Sequence, residues 1–324
     1  MVISCRSLSI VFGFAAILAG VQMAQSQTQT PPTQPQPATS SPATNAYAPP
    51  QQPGPLATSQ LTPLRLAARM TEKGEEITRG MIWRVFQPEA GQDGKLPLVA
   101  QSQGGVAVFE LLPGTYLVHA AFGRAGATKR ITLGKDAKRE EVVLDAGGLQ
   151  LNALLAGGKP IPSSRLKFSI YEAKPDLSGD RALIVRDVEP QKVVRLNAGT
   201  YHIVSEYGAV NAVVRSDVVV EAGKLTEAMV EHKAAQVTLK LVREKGAEAM
   251  AETSWSVLTD SGDPILETVG PYATVVLAEG QYTVVAKNRD RIFQNQVTVE
   301  SGQDSEVEVL ADSTTEIDPN EGAD

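Results

Sequence analysis

The chain has 324 residues, a formal net charge of −7 and one cysteine, Cys5. Residues 61–147 carry 12 basic and 10 acidic side chains, residues 148–235 carry 11 and 10, and residues 236–324 carry 6 and 17. Because no part has a strong basic excess, the composition argues against nucleic-acid binding. A single cysteine also excludes a disulfide-stapled fold.

The first 26 residues have the pattern of a secretory signal peptide. Arg6 supplies the positive charge, residues 8–18 form an apolar run, and residues 24–26 place small side chains at the cleavage positions. The run is short for a membrane span, so membrane attachment is expected only if the signal stays uncleaved. Cleavage would remove Cys5, and a cysteine-free exported chain favours a bacterial periplasm or cell surface.

Residues 27–60 are rich in Pro, Gln, Thr, Ser and Ala and contain no charged residue. Such a composition cannot bury a core, so it predicts a disordered linker. Its prolines favour an extended spacer, although an unselected connection explains the composition equally well. Residues 312–324 contain five acidic residues and no basic one, which predicts a second, acidic disordered tail.

A Leu-x-x-Gly-x-Tyr box occurs three times between these ends, and an aromatic residue precedes each box glycine by 31, 31 and 25 residues. A period of 81–85 residues suits a small domain better than a short-repeat solenoid. The sequence therefore predicts modules at residues 61–147, 148–235 and 236–311. The aromatic, Leu, Gly and Tyr landmarks are Trp83, Leu111, Gly114 and Tyr116; Phe168, Leu196, Gly199 and Tyr201; Trp255, Leu277, Gly280 and Tyr282.

Alternating side chains after each box predict β-strands, because residues two apart lie on the same face of a strand. Turn signals such as Asp93-Gly94 and Gly157-Gly158 separate short strand candidates, which is typical of a β-sandwich. Residues 234–252 have a helix-like composition, and we interpret them as a strand followed by a charged loop. The predicted fold class is all-β, with three tandem Ig-like or transthyretin-like antiparallel β-sandwiches after the signal peptide and the linker.

The Leu-Pro-Gly-Thr-Tyr string at residues 112–116 resembles the carboxypeptidase regulatory-like (transthyretin-like) modules and fibronectin type III-like domains of bacterial envelope proteins. The resemblance covers about residues 61–311 and implies a fold without catalytic residues. The box itself is typical of a tyrosine corner, in which the tyrosine points inward and its hydroxyl reaches a nearby backbone group. The upstream aromatic residue is then expected to fill the middle of the sandwich.

No set of residues in the sequence indicates catalysis, a cofactor or a metal site. The three histidines, His119, His202 and His232, have no metal-ligand spacing. Nucleophile-elbow and phosphate-loop motifs are absent from the sequence. The acidic turn at residues 260–263 does not continue into a calcium-binding loop. We therefore expect a protein that is not an enzyme and holds no cofactor.

The leading hypothesis is an exported, non-enzymatic scaffold or protein-interaction protein of the bacterial cell envelope. Its partner would be another envelope protein, bound by strand addition at an exposed sheet edge. One alternative is a carbohydrate-binding module array acting on cell-wall or surface glycan, with Tyr272, which has no repeat counterpart, as the weak ligand candidate. A further alternative is an accessory or inhibitor subunit of an envelope enzyme.

Overall fold

The computed structural model describes residues 60–312 and the backbone of residues 316 and 317. The predicted signal peptide, the linker up to residue 59 and most of the acidic tail lie outside these residues. The described part consists of β-strands and one short 3₁₀ turn, Ser163–Arg165. In this part of the chain, no helix is long and apolar enough to cross a membrane.

Twenty-one of the strands fall into three groups of seven, and each group folds as a three-stranded sheet packed on a four-stranded one. This arrangement confirms the predicted all-β fold with three tandem sandwiches. The first module contains β1 (Thr62–Arg69), β2 (Met81–Phe86), β3 (Leu98–Gly104), β4 (Ala107–Leu111), β5 (Gly114–Phe122), β6 (Ala125–Leu133) and β7 (Lys138–Val143).

The second and third modules repeat this pattern. The second contains β8 (Ala146–Leu155), β9 (Leu166–Glu172), β10 (Leu183–Val188), β11 (Val193–Asn197), β12 (Gly199–Tyr207), β13 (Val213–Val220) and β14 (Leu225–His232). The third contains β15 (Ala234–Val242), β16 (Thr253–Thr259), β17 (Pro264–Val269), β18 (Tyr272–Ala278), β19 (Gly280–Asn288), β20 (Arg291–Val299) and β21 (Ser305–Leu310).

All three modules share one topology. In the first, the sheets have the orders β4-β1-β7 and β3-β2-β5-β6, and the other two modules keep these orders. The last strand of each module runs parallel to the first, whereas the remaining pairs are antiparallel. Each sandwich is therefore antiparallel with one parallel pair. Side-chain alternation predicts a strand but not its partner's direction, so the sequence did not reveal this pairing.

Each module buries its own core between its two sheets. On β5 the side chains of Tyr116, Val118 and Ala120 are buried, and those between them are partly exposed. The same alternation recurs on β12 and β19. Period-two burial of this kind is the main stabilising contribution, since each fully buried large apolar side chain is worth roughly 1.5–3 kcal/mol.

A short strand from the acidic tail adds to the third module. Residues Glu316–Ile317 form β22, which pairs antiparallel with β20 at Ile292 and Phe293. The four-stranded sheet of this module therefore gains a fifth strand at its outer edge.

Consecutive modules meet at two equivalent junctions. At the first, the β5–β6 hairpin glycine, Gly123, approaches Arg195 so closely that an added Cβ would lie 3.1 Å from the Arg195 Cβ. At the second, a Cβ on Gly208 would lie 2.7 Å from the Cβ of Val276. Arg195 and Val276 both stand four residues before their box glycine. Gly123 and Gly208 have φ of 67° and 80°, so glycine suits both the backbone and the close approach.

Candidate functional site

The three box tyrosines have buried rings and make the same hydrogen bond. The hydroxyl of Tyr116 donates to the carbonyl oxygen four residues upstream at 2.8 Å, that of Tyr201 does so at 2.8 Å, and that of Tyr282 at 2.9 Å. Burial raises the pKa of Tyr201, and the nearby Glu172 carboxylate adds to the shift. These tyrosines tie the strand to its own corner and present no surface for a ligand.

The other repeated landmarks also lie inside the modules. Trp83, Phe168 and Trp255 are fully buried in the three cores. The indole nitrogen of Trp83 donates to the Gly105 carbonyl at 2.7 Å, and that of Trp255 to the Gly270 carbonyl at 2.9 Å. The box leucines Leu111, Leu196 and Leu277 are buried, and the box glycines Gly114, Gly199 and Gly280 begin the strands β5, β12 and β19.

Tyr272 differs from the box tyrosines because 54% of it is exposed. It begins β18 and faces Lys240 across the strand pair, at the edge of the three-stranded sheet of the third module. The structure thus leaves its ring accessible. An exposed tyrosine alone does not form a sugar platform, since scattered apolar surface residues are normal in folded proteins.

The three histidines lie apart and do not form a metal site. Nδ1 of His119 is hydrogen bonded to the Thr128 hydroxyl at 2.9 Å, and Nδ1 of His202 to the Asp217 carboxylate at 2.7 Å. Within the described residues, no group of three or more His, Cys, Asp or Glu side chains could hold a metal ion.

The third histidine forms a buried pair that the sequence analysis missed. The imidazole of His232 is hydrogen bonded through Nε2 to the Ser205 hydroxyl at 2.7 Å, and both side chains are buried. Desolvation lowers the pKa of His232, which favours the neutral ring. A nucleophilic serine must reach a substrate, and this one is enclosed in the core. The pair is therefore a satisfied polar contact of the core, and no motif signals it because 27 residues separate its members.

Each module has several outer strands, and one that all three share is the outer strand of the four-stranded sheet next to β2, β9 or β16: β3, β10 and β17. These strands carry exposed apolar side chains: Leu98 is 50% exposed, Leu183 40% and Val269 72%. Backbone groups on the outer side of such a strand have no strand partner, so the strand can accept another one. The candidate functional site is this set of three outer strands, and β22 on β20 shows one sheet edge receiving such an added strand.

Irregularities limit where a further strand can pair. In β10 the register with β9 shifts twice, around residues Val185 and Val188. By contrast, β3 is regular from residue 100 to residue 104, and β17 from residue 266 to residue 269. Bulges of this kind protect a sheet edge from pairing and re-aim side chains. β3 and β17 each have one register shift near their beginning, which leaves Leu98 outside the regular part of β3, whereas β10 has two shifts within its length.

Comparison with known proteins gives one match to a protein-family model. The model, described as the Rhizobiales growth-associated tandem repeat domain, matches residues 236–311, which is the span predicted for the third module. No curated protein sequence matches the chain.

Solved structures similar to this chain include a Bacillus anthracis protein and two pilins. The Bacillus anthracis TIE protein is 16% identical with a TM-score of 0.22, over 78% of this chain and 50% of that one. GBS52, the minor pilin of Streptococcus agalactiae, is 16% identical with a TM-score of 0.31, over 53% and 95%. BcpA, the major pilin subunit of Bacillus cereus, is 11% identical with a TM-score of 0.22, over 78% and 100%.

This chain spans half the length of the Bacillus anthracis protein. The β-sandwich part of the resemblance inferred from the sequence is confirmed by the structure, while the transthyretin-like assignment stays a prediction.

Proposed function

We propose that the chain is an exported, non-enzymatic scaffold or protein-interaction protein of the bacterial cell envelope. The observation that carries the proposal is the set of outer strands β3, β10 and β17, which repeats in every module and leaves apolar side chains exposed. Main-chain pairing on such an edge gives affinity, and alternate side chains give selectivity. Of the three, β3 and β17 have the longer regular stretches, residues 100–104 and 266–269, on which an added strand can pair.

Two further observations support an interaction role. The matched family model describes a growth-associated tandem repeat domain, which agrees with an array of binding or spacing modules. The predicted signal peptide supports export, to the periplasm or to the cell surface. The side chains that recur in all modules are buried in the cores and the tyrosine corners. A partner would therefore bind at the outer strands.

Cross-linking in the native host tests the proposal. A photo-reactive group at Leu98 or Val269 should capture one envelope protein, and mass spectrometry should map the contact to β3 or β17. Leu98→Lys and Val269→Lys place charges on the outer strands, which proteins use to prevent edge pairing, so both should weaken the cross-link.

A matched control uses comparably exposed apolar residues on outer strands other than β3, β10 and β17, so it tests whether capture is specific to these edges. Val108→Lys, Val219→Lys and Met229→Lys lie at positions 58%, 58% and 61% exposed, on β4, β13 and β14. They should leave the cross-link intact. The proposal fails if no specific partner is captured, or if both sets of variants weaken capture equally.

The glycan-binding alternative is favoured by one observation, the exposed ring of Tyr272. Aromatic rings bind the apolar faces of sugars by stacking. A glycan array with wild-type protein and with Tyr272→Ala checks this alternative. Binding that disappears in the variant supports it, and the absence of binding by the wild type rejects it.

A further inference from the structure

The first junction between modules carries a groove lined by positive charge. The groove has a volume of about 350 Å³ and lies between the β5–β6 hairpin of the first module and strands β10 and β11 of the second. Its basic residues are Arg124, Arg186, Lys192 and Arg195, and its acidic residue is Asp187.

Most of this charge has no partner. Asp187 pairs with Lys167, at 3.3 Å, on the neighbouring strand β9. Among the residues that the structure describes, no carboxylate lies within ion-pairing distance of Arg124, Arg186 or Lys192. Three cations are therefore available to a ligand.

Arg195 has a different role in the same groove. Its guanidinium stacks on the ring of Phe122 at 4.5 Å, across the junction. The contact fixes one wall of the groove to the first module, because a cation over an aromatic face is attracted to it. The wall is thus preorganised, and Arg195 is a poor choice for removal in a binding test.

The bulge in β10 places the charged side chain of Arg186 at the groove. The register with β9 breaks between Val185 and Val188, and the two residues between them are Arg186 and Asp187. Asp187 has φ of 54°, an uncommon conformation for a residue other than glycine. Bulges re-aim side chains beside binding sites, so this irregular backbone fits a positioned arginine.

The second junction is an internal control for what the fold itself needs. Counting from the box glycines, Arg124 corresponds to Ala209, Arg195 to Val276 and Lys192 to Ala273. Arg186 corresponds to Glu267, which lies in an unbulged part of β17. The junction therefore forms without these cations, and their presence at the first junction is not required by folding.

We propose that the groove at the first junction binds an acidic, extended segment of a partner protein. Arginine guanidinium groups match carboxylates in geometry and bind them through paired hydrogen bonds. The valines Val185, Val193 and Val194 also line the groove and offer apolar contacts between the charges. This mixture favours a peptide of acidic and apolar residues over a phosphate polymer, which has no apolar side chains. The inference rests on the proposed protein-binding function and names the partner chemistry of the site beside β10.

The test uses the full exported chain and three probes. The first is a capped, fluorescent peptide of alternating Glu and Val, the second replaces each Glu with Gln, and the third is inorganic polyphosphate of equal charge. At low and at physiological salt, anisotropy measures binding of the two peptides directly and binding of polyphosphate by displacement of the Glu-Val peptide. The Glu-Val peptide should bind most tightly and should weaken as salt rises.

Two triple variants with the same change of charge separate the groove from general attraction. Arg124→Gln, Arg186→Gln and Lys192→Gln together should weaken the Glu-Val peptide by at least about 10-fold, because three charge-assisted contacts are lost. The control variant, Arg130→Gln, Lys135→Gln and Arg215→Gln, removes three exposed cations outside the groove. Arg215 lies on β13, at the edge of the sheet opposite to β10. This control should stay within about 2-fold of the wild type.

Each contrary result has a distinct meaning. Equal losses in the two triple variants would overturn the groove as the site. Tighter binding of polyphosphate than of the Glu-Val peptide would reassign the ligand to a phosphate polymer and overturn the acidic segment. If the peptide fails to bind while the cross-links at β3 and β17 persist, this inference is wrong and the proposed function stands. Loss of those cross-links would instead reject the proposed function.

Discussion

The two junctions between modules use the same positions but different side chains. At the first, Asn197 belongs to the box of the second module and reaches back to the preceding hairpin. Its side chain accepts from the Gly126 N–H at 3.1 Å and donates to the carbonyl oxygens of Gly126 and Leu144 at 3.2 and 2.7 Å. One amide side chain therefore satisfies three backbone groups.

At the second junction the asparagine lies on the opposite surface. Asn211 belongs to the hairpin of the second module, accepts from the Ala278 N–H at 3.1 Å and donates to the Tyr282 hydroxyl at 2.7 Å. Ala278 and Asn197 occupy the same place in their modules, two residues before the box glycine. The contact point is thus constant, and either module can supply the polar side chain. Side chains that the contact does not constrain, such as Arg124 and Ala209, are free to differ.

The largest expected effect concerns how tightly the modules approach. Gly208→Ala should destabilise the second junction by about 3 kcal/mol, because the new Cβ meets Val276 and alanine disfavours a positive φ. Gly123→Ala should lose less, about 2 kcal/mol, since its neighbour lies 0.4 Å farther away, at 3.1 Å against 2.7 Å. Hydrogen exchange measures the change, in β12 and β18 for Gly208→Ala and in β5 and β11 for Gly123→Ala.

Gly262→Ala is the control for these glycines. Gly262 has φ of 85° and nothing within 4 Å of an added Cβ, so only the backbone penalty applies. We expect Gly262→Ala to lower the free energy of unfolding by about 1 kcal/mol. Equal losses for Gly208→Ala and Gly262→Ala would show that the close approach contributes nothing.

The second prediction compares two tyrosine corners. Tyr282→Phe removes a bond to Ala278 and a bond from Asn211, whereas Tyr116→Phe removes only the bond to Leu112. At about 1 kcal/mol for each bond, the expected losses are about 2 and about 1 kcal/mol. Exchange rates in β19 and β5 report them. A double variant with Asn211→Ala should lose less than the sum of the single variants, because the two side chains share one bond.

The third prediction is that a buried histidine makes the second junction sensitive to acid. His232 immediately precedes Lys233, whose carbonyl oxygen accepts from the Glu279 N–H at 2.9 Å across the junction. The corresponding residue at the first junction is Leu144, which cannot titrate. Burial lowers the pKa of His232 below its ordinary 6.5.

The sign of the pH effect follows from that shift. Below pH 6.5 the unfolded chain takes up a proton that the folded chain resists, so this histidine makes stability fall as the pH drops, and it has no effect well above 6.5. Hydrogen exchange in β14, corrected for its intrinsic pH dependence, should show the loss. His232→Gln should abolish it, whereas His119→Gln should leave β14 unchanged and alter only the first module. Unaltered acid sensitivity of β14 in His232→Gln would contradict the prediction.

The smallest expected effect is one of salt on the third module. Residues 236–324 carry 6 basic and 17 acidic side chains, so they repel one another more than the nearly balanced first module. Raising salt from low to moderate concentration should increase protection in β15 and β19 by about 0.5 kcal/mol, through screening. Protection in β2 and β5 serves as the reference. An equal response in both modules would show that the charge imbalance has no local effect.

Particular residues show how far the sequence alone reaches. The box around Gly114 and Tyr116 recurs with its spacing, and this made the number of modules and the β-sandwich fold predictable. The sequence does not identify the outer strand β3 as a site, because an apolar residue such as Leu98 is equally typical of a core strand. Only the sheet order shows that β3 lies at an edge. The Ser205–His232 contact carried no signal at all, because a serine and a histidine 27 residues apart have no motif.

What the sequence by itself determined about this protein is the module: its period, its alternating strands and its buried tyrosine and aromatic residues. These features are local or repeated, and hydrophobic alternation records them directly. The tertiary structure alone decided the parallel pairing of the first and last strands, the added strand β22 and the groove at the first junction. That groove joins Arg124 of one module to Arg186 and Lys192 of the next. Such features depend on which distant segments meet, and the packing of whole sandwiches sets those meetings.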